Sequence, residues 1–125
     1  MGGLTLDVGA LIAVERQDVR MAALVRDAVS RGIPIAVPAG ALGQVWRGGP
    51  RQARLARLIG SAAVEVVPLD ETAARESGEL CAAIGTTDVI DASVALCAVK
   101  RRHAIVTSDP FDLRRLAPRL ELIVV

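Results

Sequence analysis

Aromatic residues are nearly missing from this chain, which has one Trp, one Phe and no Tyr among 125 residues. A core without large rings has to be built from Ala, Val, Leu and Ile, within a hydrophobic content of 52%. Cysteine and histidine are just as scarce. Cys81 and Cys97 lie in helix-like sequence with no neighbouring Cys or His, and His103 is the only histidine. That pattern argues against a zinc site and for buried free thiols in a reducing compartment. Long apolar runs are also lacking. None approaches the roughly 20 residues that span a bilayer, despite a mean hydropathy of +0.43. The opening M-G-G-L-T-L-D has neither a basic n-region nor an apolar h-region, so a cytoplasmic protein with no membrane association is expected. A formal net charge of +1 says little about partners; the distribution of the charges says more.

The length predicts one domain, residues 1–125, able to bury about two thirds of its unfolded surface. Leu4-Thr5-Leu6 reads as a short buried strand, followed by a helix over Gly9 to Val14. Asp18 to Arg31 carries apolar residues at helical spacing, with Asp18 as N-cap and Gly32 as C′. Ile33 to Val37 is a second strand and Ala39 to Arg47 a helix, broken by Gly48-Gly49-Pro50. Pro50 opens a further helix to Ile59. Val64 to Val67 is a strand, Asp70 to Ile84 a helix, and Thr87 to Arg102 another. Ala104 to Thr107, Pro110 to Leu116 and Leu120 to Val125 close the chain as strand, helix and strand. Five short apolar strands alternating with helices predict an α/β fold, a parallel sheet covered on both faces.

This topology gathers the acids. In right-handed β-α-β units, strand C-terminal ends and helix N-terminal ends share one sheet edge, where ligands bind. Asp7 ends the first strand, Asp109 follows the fourth, and Asp88 and Asp91 open the helix before it. Crowded carboxylates repel one another and are relieved by a proton or a cation. Mg²⁺ and Mn²⁺ prefer such oxygen ligands, and a metal held there can activate water against a phosphodiester. A plainer reading stands beside this one. Asp88 with Asp91 at N3 is a capping arrangement, Asp109 before Pro110 is an N-cap with Asp112 at N3, and Asp7 can cap the first helix.

Three blocks, L-T-L-D-V-G-A-L-I-A, D-A-S-V-A-L and V-T-S-D-P-F-D-L, fall in an order and spacing that resembles a PIN domain, in particular the small bacterial VapC-type toxins. The resemblance covers essentially the whole chain. It implies a three-layer α/β/α sandwich, an endoribonuclease dependent on Mg²⁺ or Mn²⁺, frequent homodimers and a cognate antitoxin that blocks the site. It implies metal ligands at Asp7, Asp91 and Asp109. The family's remaining acid, a Glu, falls in A-G-A-L-G-Q-V-W-R-G-G at Gln44. A carboxamide can ligate or orient a water but brings no charge and cannot act as a base. Either Asp88 makes up the missing carboxylate, or the chain is a catalytically weak module that binds RNA or protein. On the first alternative, Gln44 and Asp88 form the outer shell of the ion. A receiver-type signalling domain also places acids at such an edge. It needs paired acids after the first strand and a Lys after the last, whereas Val8 follows Asp7 here and Lys100, the only Lys, lies in a helix.

Arg47, Arg51, Arg54 and Arg57 carry positive charge through W-R-G-G-P-R-Q-A-R-L-A-R with no acid between them. They form either a solvated face or, for Arg47, Arg51 and Arg54, contacts to RNA phosphates beside the acidic edge. Trp46 is a core or interface residue or a stacking platform for a base. Thr107 and Ser108 either end a strand or position a phosphate beside Asp109. Glu15, Asp18, Glu65, Asp70, Glu71, Glu76 and Glu79 read as surface and cap charges.

Overall fold

The structure, a computed structural model, describes residues 2–125. In chain order it contains β1 (Leu4–Leu6), α1 (Val8–Glu15), α2 (Val19–Ser30), β2 (Ile35–Pro38) and α3 (Ala39–Val45). A short 3-10 turn (Pro50–Gln52) leads into α4 (Ala53–Ile59), β3 (Val64–Val67), α5 (Glu71–Ile84) and α6 (Val89–Arg101). β4 (Ala104–Thr107), α7 (Pro110–Leu116) and β5 (Leu122–Val124) complete it. The five strands form one all-parallel sheet in the order β3-β2-β1-β4-β5. β1, β2 and β4 are buried along their whole length, while the edge strands β3 and β5 are partly exposed. That matches the fully apolar central runs, because a parallel sheet is covered by helices on both faces.

The winding reverses at β1. The chain steps outward from β1 to β2 and β3, then crosses back to β4 on the other side. The ends of β1 and β4 therefore splay a crevice between their outgoing connections, the place where α/β sheets hold ligands. The register sets Leu6 beside Val106, and the amide of Asp7 still donates to the Val106 carbonyl at 3.2 Å. Asp7 thus leaves the sheet alongside Thr107.

Alanine makes the close packing possible. α6 buries Ala92, Ala95 and Ala98 completely against the sheet, with Ala10 of α1 and Ala41 of α3 equally enclosed. Leu6, Leu11, Met21, Ile35 and Ile105 fill the space between, each contributing about 1.5–3 kcal/mol by burial. Cys81 and Cys97 are buried and unpaired. Among the described residues, no helix is long and apolar enough to cross a membrane.

Several element ends differ from the sequence expectation by one to three residues, three of them for identifiable reasons. β2 starts at Ile35 because the Ile33 amide is taken by Ala28 at the end of α2. α3 stops at Val45 because the amides of Arg47 and Gly48 both donate to the buried Gln52 side chain, at 2.8 and 2.9 Å. α6 begins at Val89 because Asp88 is its N-cap and Thr87 lies outside. β5 is shorter at both ends, spanning Leu122–Val124.

Candidate metal centre

The expected acids open onto one cleft of about 390 Å³, lined by Asp7, Gln44, Asp88, Asp91, Ser108 and Asp109 among others. Four connections build it. Asp7 comes from the β1–α1 junction, Gln44 from α3, Asp88 and Asp91 from the start of α6, and Asp109 from the β4–α7 junction.

Three of the acids are also helix caps. Asp7 Oδ1 accepts from the Ala10 amide at 2.8 Å, Asp88 Oδ1 from Asp91 at 2.9 Å, and Asp109 Oδ1 from Phe111 at 3.4 Å. A carboxylate has two oxygens and about four acceptor sites, so each cap keeps an oxygen for another partner. The alternatives of cap and ligand coexist in the same side chain. Asp91 is different. It sits at the third helical position and caps nothing, while its backbone amide is the one Asp88 holds.

Electrostatics single out Asp7 and Asp91. Asp7 is 6% exposed, and burial lifts its pKa above the ordinary carboxylate value. The Thr107 hydroxyl and the Ala10 and Gly9 amides oppose that rise, and the charge of Asp109 adds to it. Asp91 is pushed up to about 6, first by burial and then by the charges of Asp88, Asp7 and Asp112. Asp88, Asp109 and Gln44 are exposed at the mouth.

Asp112 had only a capping role in the sequence reading. Its charge adds to the rise at Asp91, although it does not line the cleft; its signal is the D-P-F-D spacing, which returns a second acid to the same helix start. Thr107 is fully buried and its hydroxyl accepts from the Asp109 amide at 2.9 Å, which fixes that turn.

The donors are oxygens only, and the mutual repulsion recorded at Asp7 and Asp91 is what a bound cation removes. By donor type and charge the set fits a hard divalent ion such as Mg²⁺ or Mn²⁺. As the side chains stand, no three Asp, Glu, His or Cys among the described residues converge closely enough to ligate one ion.

The arginines are dispersed. Arg47, Arg51 and Arg54 are exposed, and none lines the acidic cleft. Arg47 lies just beyond α3, its guanidinium donating to the Trp46 carbonyl at 2.7 Å and the Gly43 carbonyl at 3.3 Å. Arg54 instead joins Arg26 and Arg57 around a separate groove of about 720 Å³ between α2 and α4. Trp46 is 41% exposed, so it is not a core residue. Glu15 was read as a surface charge, yet its carboxylate accepts from the buried Gln52 amide at 3.0 Å.

No curated protein matches the sequence. A solved structure that does match is a chain of VapBC2 from Rickettsia felis bound to a DNA fragment from their promoter. It superposes with a TM-score of 0.72 at 15% identity, over 95% of this chain and 96% of that one, which establishes a common fold. The PIN domain family profile matches residues 4–117, from β1 through the end of α7. With four acids brought to one cleft at the switch point of a β3-β2-β1-β4-β5 sheet, and that profile spanning nearly the whole chain, the protein belongs to the PIN domain family.

Proposed function

We propose that this chain is a metal-dependent endoribonuclease, the toxin of a toxin–antitoxin pair. The observation that carries the reading is the pairing of Asp7 and Asp91. Both are partly or fully withdrawn from water and raised in pKa, and the charge of each of two exposed neighbours, Asp109 and Asp88, adds to that rise. Folding holds like charges together there, an arrangement expected of a functional site.

In this reading Asp7, Asp91 and Asp109 hold Mg²⁺ or Mn²⁺, which when bound lowers the pKa of a water and offsets charge at the phosphoryl group. Gln44 and Asp88 stand in the outer shell. The Gln44 carboxamide orients a water but cannot take its proton. Asp88 is the exposed carboxylate left to accept that proton, across the same cleft. Arg47 and Arg51 draw the RNA backbone toward an otherwise acidic surface. The antitoxin blocks the acidic cleft and is anchored on the α2–α4 groove, where Val19 is 81% exposed and three arginines stand at the rim. A second copy of the chain completes a homodimer.

A second reading, a module that binds RNA or a protein without cleaving, is favoured by Gln44 and by the separation of the acids. Cleavage of single-stranded RNA by the purified protein with Mn²⁺ separates the two. The nuclease reading expects chelation to abolish cleavage, Asp91→Asn to reduce it at least ~100-fold, and Gln44→Glu to raise it. An Asp91→Asn protein as active as wild type overturns it. The binding module expects no Mn²⁺ heat in calorimetry.

A further inference from the structure

We infer that Gly9 is a positioning residue, present because a Cβ there would hold apart two segments that carry the acids; Gly40 is the contrasting case. The inference rests on the nuclease reading for its consequence, but its geometry stands independently.

Neither glycine has the positive φ that would call for glycine on conformational grounds. Each is the second residue of its helix, where helix propensity still favours Ala over glycine. What distinguishes them is proximity. A Cβ on Gly9 would stand 2.0 Å from the Ser108 hydroxyl oxygen, 3.0 Å from its Cβ and 3.1 Å from its amide nitrogen. The hydroxyl can rotate away, but the Cβ and the backbone cannot, so the β4–α7 turn has to retreat by a few tenths of an ångström. Gly9 is two residues after Asp7, and Ser108 immediately precedes Asp109. Their contact therefore sets the separation of two acids that are remote in sequence.

Gly40 makes a softer contact on the other wall. Its Cβ would stand 2.8 Å from Ile90 Cδ1, with Leu69 and Ser93 next at 3.4 and 3.7 Å. Ile90 Cδ1 is the free end of a flexible side chain and can rotate away. This contact therefore does not fix the gap between Gln44 and the start of α6. Gly43, in the same helix and adjacent to Gln44, has nothing within 4 Å of its would-be Cβ. It is the internal control, a helix glycine free to become Ala.

The experiment compares wild type, Gly9→Ala, Ser108→Gly, Gly9→Ala/Ser108→Gly, Gly40→Ala and Gly43→Ala. Each is tested for RNA cleavage with Mn²⁺, Mn²⁺ affinity by calorimetry and backbone amide shifts by NMR. Gly9→Ala is expected to fold, to lose about tenfold in kcat, since sub-ångström misplacement is enough for that, and to bind Mn²⁺ more weakly, whereas Gly40→Ala is absorbed by rotation of Ile90 and keeps wild-type turnover. Ser108→Gly, which removes both the hydroxyl and the Cβ and leaves only the 3.1 Å approach to the amide nitrogen, restores most of what Gly9→Ala loses. Gly43→Ala keeps wild-type turnover. Full activity and Mn²⁺ affinity in Gly9→Ala, or a loss that Ser108→Gly does not reverse, overturns the inference. So does a Ser108→Gly protein as impaired as Gly9→Ala, because the hydroxyl itself would then be what matters. If wild type neither cleaves RNA nor binds Mn²⁺, the nuclease reading fails by itself. The spacing is then judged on the Ser108 and Asp109 amides, which must shift in Gly9→Ala and return in the double variant; unmoved resonances overturn it.

Discussion

The backbone amide of Asp91 donates to the carboxylate of Asp88 at 2.9 Å, while the charge of that same carboxylate helps push Asp91 up to about 6. One side chain both anchors the start of α6 and loads its neighbour. The consequence is measurable in stability. The folded pKa of Asp91 lies above its ordinary value of 3.8. The stability it contributes is therefore fully present below about pH 4 and is lost as pH rises through about 6. Asp91→Asn removes the titration. It is expected to match wild type near pH 4 and to exceed it at pH 8 by roughly 1 kcal/mol, below the ~3 kcal/mol of the unscreened shift because the group is partly solvated. Urea unfolding at the two pH values checks this, and an equal difference at both would remove the electrostatic account.

Asp88 has two separable roles, and two substitutions separate them. Asn is as good an N-cap as Asp, whereas Ala forfeits about 1 kcal/mol. Asp88→Asn should therefore keep the melting temperature while RNA cleavage falls at least ~10-fold, as expected on losing an acid–base group. Asp88→Ala should lose both. Wild-type cleavage by Asp88→Asn would leave Asp88 as a cap alone.

The caps were legible in the sequence because each is local: Asp7, Asp18, Asp70, Asp88 and Asp109 all stand at helix starts that their own spacing announces. The acidic cleft was legible one level higher, since a parallel α/β winding sends those starts to one edge. Neither argument reaches contacts between segments remote in sequence. The charge of Asp112 at Asp91, the approach of Gly9 to Ser108 and the bond from Gln52 to Glu15 depend on how layers meet. Periodicity carries no trace of them. Arg54 shows the opposite failure. It follows Arg47 and Arg51 closely in sequence, yet of the three only Arg54 lines the α2–α4 groove, because Arg47 lies in the loop after α3, Arg51 in the 3-10 turn and Arg54 on α4.

Gln52 is 4% exposed and uses every polar atom of its side chain. Its oxygen accepts from the Arg47 and Gly48 amides, and its nitrogen donates to Glu15 and to the Val45 carbonyl at 2.8 Å. Gln52→Leu retains the volume but leaves those groups without partners. A loss of roughly 2–4 kcal/mol is expected by chemical denaturation. The Trp46 fluorescence should change with it, as the loop after α3 comes free. A loss under about 0.5 kcal/mol, the level of an ordinary surface substitution, would mean water replaces the amide without penalty.

Arg102 ends α6 in the left-handed region, with φ 58 and ψ 41. A side chain there costs roughly 1–2 kcal/mol that glycine does not incur. Its amide caps the helix by donating to Val99 at 3.3 Å, a bond that glycine keeps. Arg102→Gly should gain somewhat less than 1 kcal/mol, because glycine also frees the unfolded chain. A thermal melt that falls on substitution would place the value of Arg102 in its charge.

The separation of the arginines makes the last prediction, on RNA affinity against salt. Each phosphate contact on a single strand adds about 0.7 to the slope of log K against log salt. Arg47 lies just beyond α3, which carries Gln44, and Arg51 lies in the turn that follows, whereas Arg54 shares its groove with Arg26, Arg57 and the exposed Val19. Arg47→Ala and Arg51→Ala are each expected to lower the slope by about 0.7. Arg54→Ala should leave it unchanged and weaken capture of the antitoxin instead. The measurement uses the Asp91→Asn protein so that RNA survives the titration. An equal fall for all three would mean that the RNA crosses α4, and the groove would then belong to the substrate path rather than to a partner.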